Sequence, residues 1–202
     1  GLAAQRERNQ PGGGWKEAMS PLALQSLYGI RPALAARWAK PLDGALKFAD
    51  CTTHWRRCAF LAQIGHESGR LRYTREIWGP TAQQKRYDGT ALAKRLGNTE
   101  PGDGKRYMGR GLIQTTGRAN YAMTTIKLRE LLGPDVPDFE QQPELLERDD
   151  WAALSAALFW RVKKLNRWAD SGDFAELTRR INGGHHGLAD RQMLYARALL
   201  LE

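Results

Sequence analysis

Valine occurs only twice in this 202-residue chain, at Val136 and Val162. Leucine and alanine dominate the apolar set instead, and a sequence poor in β-branched residues and rich in helix formers specifies helices rather than sheet. No apolar run approaches the ~20 residues that a membrane span needs. Nor is there a charged start followed by an apolar middle, so no secretory signal is read. Cysteine is equally scarce, with Cys51 and Cys58 the only two. On one continuous helix their spacing corresponds to roughly 10 Å of rise, beyond the ~7 Å that a disulfide tolerates. Two free, packed thiols are expected, which fits folding in a reducing cytoplasm. His54 lies within helical reach of both thiols, but the stripe they occupy reads as core rather than as a nucleophilic site.

Positive charge is what the chain has in excess. The formal net charge of +9 suits an anionic partner such as nucleic acid, a membrane or a bacterial wall polymer, or simply a solvated basic surface. The basic residues are scattered in pairs (Arg56-Arg57, Lys94-Arg95, Lys105-Arg106, Lys163-Lys164, Arg179-Arg180) and form no tail. The length suits one domain, with room for a small helical subdomain. Residues 1–14, with Pro11 and three consecutive glycines, lack periodicity and read as a linker or expression remnant; 15–202 is read as a single domain.

In chain order, Leu22, Leu27 and Ile30, then Leu34 and Trp38, predict short helices separated near Gly29 and Pro32. Asp43 is a good N-cap for a helix predicted over 44–67, with Phe48, Cys51, Trp55, Cys58 and Ala62 as its buried stripe. Gly69 offers the left-handed position that stops a helix. Glu67 then sits on the last turn of a rigid, buried element, and a second acid, Glu76, follows. On an unbroken helix their spacing is about 900° of rotation and roughly 13 Å of rise, so the chain must turn between them for both to serve one bond. Residues 79–106 read as loop, with one short helix at most over 91–96. A long irregular stretch inside a domain usually carries function. Further helices are predicted over 118–132, through Tyr121, Ile126 and Leu131, and over 151–168, with Leu154, Leu158, Val162 and Leu165 on one face. Another begins at Ser171 or Asp173 and ends at Ile181, and the last runs over 188–201.

Two carboxylates flanking a glycosidic bond suffice for its hydrolysis: one protonates the leaving oxygen, and the other activates water or attacks the sugar. Glu67 follows an apolar helix face, where partial desolvation favours a protonated acid. Glu76 lies in a polar, Arg-flanked stretch that suits an ionised base. Other motifs read blandly. His66 lacks the His-Glu-x-x-His pattern of a zinc site, because position 70 is Arg, and Gly109-Arg110-Gly111 lacks the glycine spacing and lysine of a P-loop. His185-His186 reads as a loop. Trp55, Trp151 and Trp160 read as core, whereas Trp78, just after Glu76, is placed to stack on a sugar ring.

His66-Glu67-Ser68-Gly69, the stretch Tyr107-Met108-Gly109-Arg110-Gly111-Leu112-Ile113-Gln114-Thr115-Thr116, and Ile181-Asn182-Gly183-Gly184 occur in that order. Together they resemble glycoside hydrolase family 19, the lysozyme-like fold shared by plant-type chitinases and many phage endolysins, over roughly residues 46–191. The compact form, with Trp78-Gly79-Pro80-Thr81-Ala82 after the second glutamate, is more similar to the endolysin branch. The resemblance implies Glu67 as general acid, Glu76 as general base of an inverting mechanism, and Thr116 as the hydroxyl that helps position water. It implies Gln114, Asn120, Asn182 and Tyr107 along the sugar, and Arg191 as a basic residue near the acids. The carboxyl groups of an inverting pair stand about 6.5–9.5 Å apart. Plant members separate the acids by a longer loop; this departure leaves Glu100 and Asp103 as alternative bases.

The expectation is therefore a mainly α, lysozyme-like domain with little or no sheet, working without cofactor or metal. As a bacteriolytic phage endolysin it would cut the β-1,4 bond between N-acetylmuramic acid and N-acetylglucosamine in bacterial peptidoglycan. It would act as a monomer, with no nucleic-acid partner and no stable membrane insertion. It would be made in the host cytoplasm without a signal peptide and act in the periplasm or at the cell wall. A chitinase, a secreted antibacterial effector with the same chemistry, and a non-catalytic wall- or nucleic-acid-binding module are the alternatives.

Overall fold

Hydroxyl caps, prolines in first turns and left-handed glycines punctuate the chain into short helices. The computed structural model describes residues 18–201, so the linker read at 1–14 lies outside the described residues. In chain order the helices are α1 (Pro21–Tyr28), α2 (Pro32–Phe48), α3 (His54–Glu67), α4 (Ala82–Lys85), α5 (Ala91–Leu96) and α6 (Asp103–Arg106). There follow α7 (Arg118–Leu132), a 3-10 turn (Pro143–Glu147), α8 (Asp149–Val162), α9 (Asn166–Ser171), α10 (Phe174–Asn182) and α11 (Leu188–Leu199). Among the described residues the only extended pairing is two isolated bridges, Arg75 with Arg110 and Arg110 with Thr115. The mainly helical architecture expected from the shortage of β-branched residues is the one observed. Backbone contacts divide the described residues into two units, one comprising 18–72 together with 159–201, the other Tyr73–Leu158.

The first unit is built on α3, which packs most extensively against α11. Thr53 caps α3 by accepting the Arg56 N–H, and nearly the whole length of the helix is enclosed, with Phe60 edge-on to Trp160. Gly65 allows the closest approach: a Cβ there would lie 2.4 Å from the Tyr28 ring, whose hydroxyl donates to the Leu61 carbonyl at 2.6 Å. The single helix predicted over 44–67 is two. α2 carries Pro41 in its interior and runs on to Phe48, the chain breaks at Asp50 with φ 54°, and α3 starts afresh. The apolar stripe stays in phase across the break, so its periodicity carries no mark of it. Asp43 is accordingly not a cap; it accepts the Met19 N–H at 3.1 Å and pairs with Lys47 at 2.7 Å. Cys51 sits in the break rather than on a helix. Both thiols are free and buried, and burial pushes the Cys58 thiol up to about 12.

The helix predicted over 151–168 stops at Val162, which is 60 % exposed instead of core. Asn166 accounts for the stop. Its side chain accepts the Trp160 indole N–H at 2.7 Å and donates to the Ala49 and Asp50 carbonyls. The chain turns through Lys164 at φ 53° on the way to that position.

In the second unit the stretch 79–106 holds three short helices where at most one was expected. Each has a local start: Thr81 in a reciprocal capping box with Gln84, Thr90 accepting the Ala93 N–H, and left-handed Gly102 before α6. On α7 the buried face is Tyr121, Thr124, Thr125 and Leu128, while Ile126 and Leu131 face outward. The threonines tolerate burial because each hydroxyl bonds a carbonyl one turn back, and that of Thr125 also accepts the Phe139 N–H.

Candidate active site

Glu67 is the last residue of α3, and the chain stops hard behind it. The Gly69 N–H donates to the His66 carbonyl at 3.2 Å and the Arg70 N–H to Gly65 at 2.7 Å, the paired bonds of a Schellman stop. Gly69, Arg70 and Leu71 are all left-handed, at φ 57°, 59° and 64°. For the two non-glycine residues that conformation costs on the order of 1–3 kcal/mol each, so other contacts must hold it. The Ser68 hydroxyl accepts the Leu71 N–H at 2.9 Å, the Leu71 side chain is buried, and Arg70 makes a two-pronged pair with Asp190. Asp190 also meets His66 Nδ1 at 2.7 Å. Hydrogen bonds from the Arg70 guanidinium first, and then from His66, outweigh the opposing effect of burial and hold that carboxyl below its ordinary range. Gly187 closes over His66; a Cβ there would sit 2.3 Å from the ring.

The apolar surroundings expected for Glu67 are not what the fold supplies. Arg191, only 1 % exposed, brings Nη2 to 2.6 Å from Glu67 Oε1, a charge contact rather than an aligned hydrogen bond. The rest of that guanidinium is engaged too: Nη1 donates to Gln63 Oε1 at 2.6 Å and Nε to the His186 carbonyl at 3.1 Å. Gln63 in turn donates to Thr178 at 3.0 Å. Asn182, expected to face sugar, holds the 182–187 loop by donating to the His186 carbonyl and accepting the Gly184 N–H. It therefore acts one bond behind Arg191.

In the second unit Glu76 lies on a short extended segment beside Gly109-Arg110-Gly111. The Gly111 N–H donates to Thr74 and the Glu76 N–H to Gly109, each at 2.8 Å. The Gly109 N–H returns to Glu76 Oε1 at 2.7 Å, and Gln84 Nε2 donates to Oε2 at 3.1 Å. Tyr87 lies near the carboxylate; burial first, then the Glu76 charge, raises its phenol above the ordinary value. Both partners donate, which matches a carboxylate, an acceptor only. The Gly-Arg-Gly motif is the scaffold for this grip. Arg110 is buried, with Nε 2.8 Å from Glu147 Oε1 and Nη1 on the Arg106 carbonyl and the Tyr121 hydroxyl. Gly109 lets the Gln114 side chain pack closely: a Cβ there would lie 2.5 Å from Gln114 Oε1.

Glu76 opens into a cleft of about 600 Å³ within this unit. Tyr73, Ile77, Trp78 and Met108 form its apolar lining, and Arg75 and Lys105 bring positive charge. Of the residues predicted to handle substrate, the second unit brings Glu76 and Trp78 to this cleft; Gln114, Thr116 and Asn120 lie on the neighbouring loop and first turn of α7, outside its lining. Asn120 there donates to the Thr116 carbonyl at 2.7 Å. Tyr107, expected on the groove wall, is 1 % exposed, with its hydroxyl donating to the Glu140 carbonyl; it is core because Arg106 and Arg118 stack over its ring. The alternative base Asp103 is enclosed, both oxygens taken by Arg118 and one shared with the Thr99 and Glu100 N–H groups. Sequence reading missed Gln84 and Tyr87 behind Glu76, and Gln63 and Thr178 behind Arg191. No motif marks them, although Thr81 and Gln84 do carry the spacing of a capping box.

No family model matches the chain. A Haemophilus influenzae protein described as a glycosyl hydrolase family 19 domain-containing protein is 33 % identical over 184 residues, covering 79 % of this chain and 86 % of the relative. Among solved structures, chitinase C from Streptomyces griseus superposes with a TM-score of 0.62 at 23 % identity, over 90 % of this chain and 76 % of its own. A bacterial family 19 chitinase superposes with a TM-score of 0.64 at 22 % identity, over 91 % and 96 %. At that identity the structural likeness is one of fold.

Proposed function

This chain belongs to glycosyl hydrolase family 19 and is a glycoside hydrolase, and we propose that its substrate is the β-1,4 glycan of bacterial peptidoglycan. In this reading Glu67 gives its proton to the glycosidic oxygen as the bond to the anomeric carbon breaks. Glu76 takes a proton from the water that attacks the opposite face of the sugar, with inversion. Thr116 helps place that water, Gln114 and Asn120 hydrogen-bond the sugars, and Trp78 stacks on a ring. Arg191 holds Glu67 beside the sugar, and Asn182 hydrogen-bonds sugar from the loop that it also braces. Residues 15–202 work as one catalytic domain.

The observation that carries the reading is the carboxylate of Glu76, gripped by two donors at a cleft lined by aromatic and basic side chains. The basic charge of the chain would favour approach to an anionic wall, an attraction that weakens with salt. No helix among the described residues is long and apolar enough to cross a membrane. We read the protein as a monomeric phage or prophage endolysin, made in the host cytoplasm and acting at the wall. Chitin is the second reading, favoured by the chitinases that share the fold.

The test compares initial rates on purified Gram-negative peptidoglycan and on chitin oligomers, following new reducing ends. Faster cleavage of peptidoglycan supports the proposal. Cleavage of chitin oligomers with peptidoglycan left intact reverses it in favour of the chitinase.

A further inference from the structure

The cleft beside Glu76 holds more positive charge than its own acid uses. Each oxygen of Glu76 already accepts a hydrogen bond, from the Gly109 N–H and from Gln84, and so the acid does not call on the two cations that share the cleft. Arg75 has a 61 % exposed side chain and one distant contact, 3.7 Å to Glu147 Oε1, an oxygen that Arg110 already holds at 2.8 Å. Lys105 is exposed in the last turn of α6 and lines the cleft; among the described residues no carboxylate is paired with its ammonium. Around these charges the lining is apolar and open, with Ile77 74 % and Tyr73 50 % exposed. Apolar faces suit pyranose rings, whose axial C–H groups pack on them. Uncommitted cations at the same place suit a ring that carries an acid.

From this combination we infer that Arg75 and Lys105 are specificity-determining residues that bind a carboxylate carried by the glycan, selecting acidic over neutral N-acetylglucosamine polymers. The inference rests on the proposed reading and names what the site recognises in its substrate. Peptidoglycan offers the chemistry twice, as the lactyl carboxyl of a peptide-free muramic acid and as the free carboxyls of the peptide stem. Chitin offers it nowhere, so on chitin the two cations contribute no ion pair. A guanidinium can grip a carboxylate with two parallel N–H bonds and an ammonium meets it as a point charge, so the pair serves a carboxylate whose position shifts with the attached peptide.

The experiment measures kcat/KM for the wild type, Arg75→Ala, Lys105→Ala and the double variant. The substrates are peptide-bearing peptidoglycan fragments, glycan strands stripped of peptide by an amidase, and neutral chitin oligomers. In the double variant the ratio of peptidoglycan to chitin activity falls about tenfold, mainly through KM, and Lys105→Arg restores most of the loss caused by Lys105→Ala. A fall confined to stripped strands assigns the lactyl carboxyl, and one confined to peptide-bearing fragments assigns the stem. An unchanged ratio, with all three substrates cleaved as in the wild type or slowed equally, overturns the inference and leaves the proposed function standing. A wild type that cleaves only chitin oligomers overturns both.

Discussion

The two glutamates proposed to act together are held in different ways. Glu67 ends a fourteen-residue buried helix, and its neighbour is a full charge, Arg191, itself enclosed and braced by Gln63 and the His186 carbonyl. Glu76 stands on a short extended segment, and its donors are neutral: one backbone N–H and one side-chain amide. A helix terminus fixes a side chain through packing that is spread over many residues. A loop site fixes it through a few directed bonds, so single substitutions should damage the second site more selectively. In the first, the same kind of change should damage folding along with activity.

That contrast gives its largest effect in the acids themselves. Glu67→Gln and Glu76→Gln should each lower hydrolysis by about 10²–10⁴-fold, but only Glu67→Gln, which leaves the enclosed Arg191 facing a neutral group, should also lower the melting temperature. Equal melting temperatures for the two variants would erase the contrast. Next comes Arg191→Met, which removes one partner of a largely buried ion pair and should cost roughly 3 kcal/mol, a fall of about 6–12 °C in thermal unfolding. A loss below 1 kcal/mol would mean that the guanidinium braces nothing. Gln84→Ala should behave in the opposite sense, with activity down about tenfold while stability falls by only about 1 kcal/mol, the typical loss of a cap and a hydrogen bond. A drop in stability with unchanged kcat would remove Gln84 from the account.

The smallest effect concerns acid pH. Asp103 in the second unit is held below its ordinary value of 3.8 first by hydrogen bonds from Arg118, and Asp190 in the first unit chiefly by Arg70. Because both folded values are lowered, their stabilisation is present above the unfolded value and is lost as pH falls through the lowered one. Asp103→Asn and Asp190→Asn should therefore each lower stability at pH 7 and flatten its decline below about pH 4, read by chemical denaturation across that range. A variant whose stability parallels that of the wild type from pH 7 to pH 3 would show the carboxylate to be unimportant.

Legibility in the sequence follows the same division. The helical scaffold was readable because its apolar residues recur with helical spacing, and Gly69 announces the stop behind Glu67 on its own. The breaks at Asp50 and Lys164 were not readable: the apolar stripe continues in phase across each, and what breaks the helix is a distant partner, Asn166, bonding Trp160 and the end of α2. Gly109-Arg110-Gly111 was recognisable as a motif but not as a scaffold, since the partners of Arg110 lie at positions 106, 121 and 147. Tyr107 was misplaced for a related reason. An aromatic residue beside a sugar-site motif reads as a wall until the arginines that cover it are seen.

The most direct test of the central claim is digestion of purified Gram-negative peptidoglycan by the wild type, Glu67→Gln and Glu76→Gln, with the reduced products identified by mass spectrometry. The wild type should release muropeptides ending in reduced muramic acid, and both variants should lose nearly all of them while each remains folded. Products ending in reduced glucosamine, or undiminished muropeptides from either folded variant, would contradict that claim.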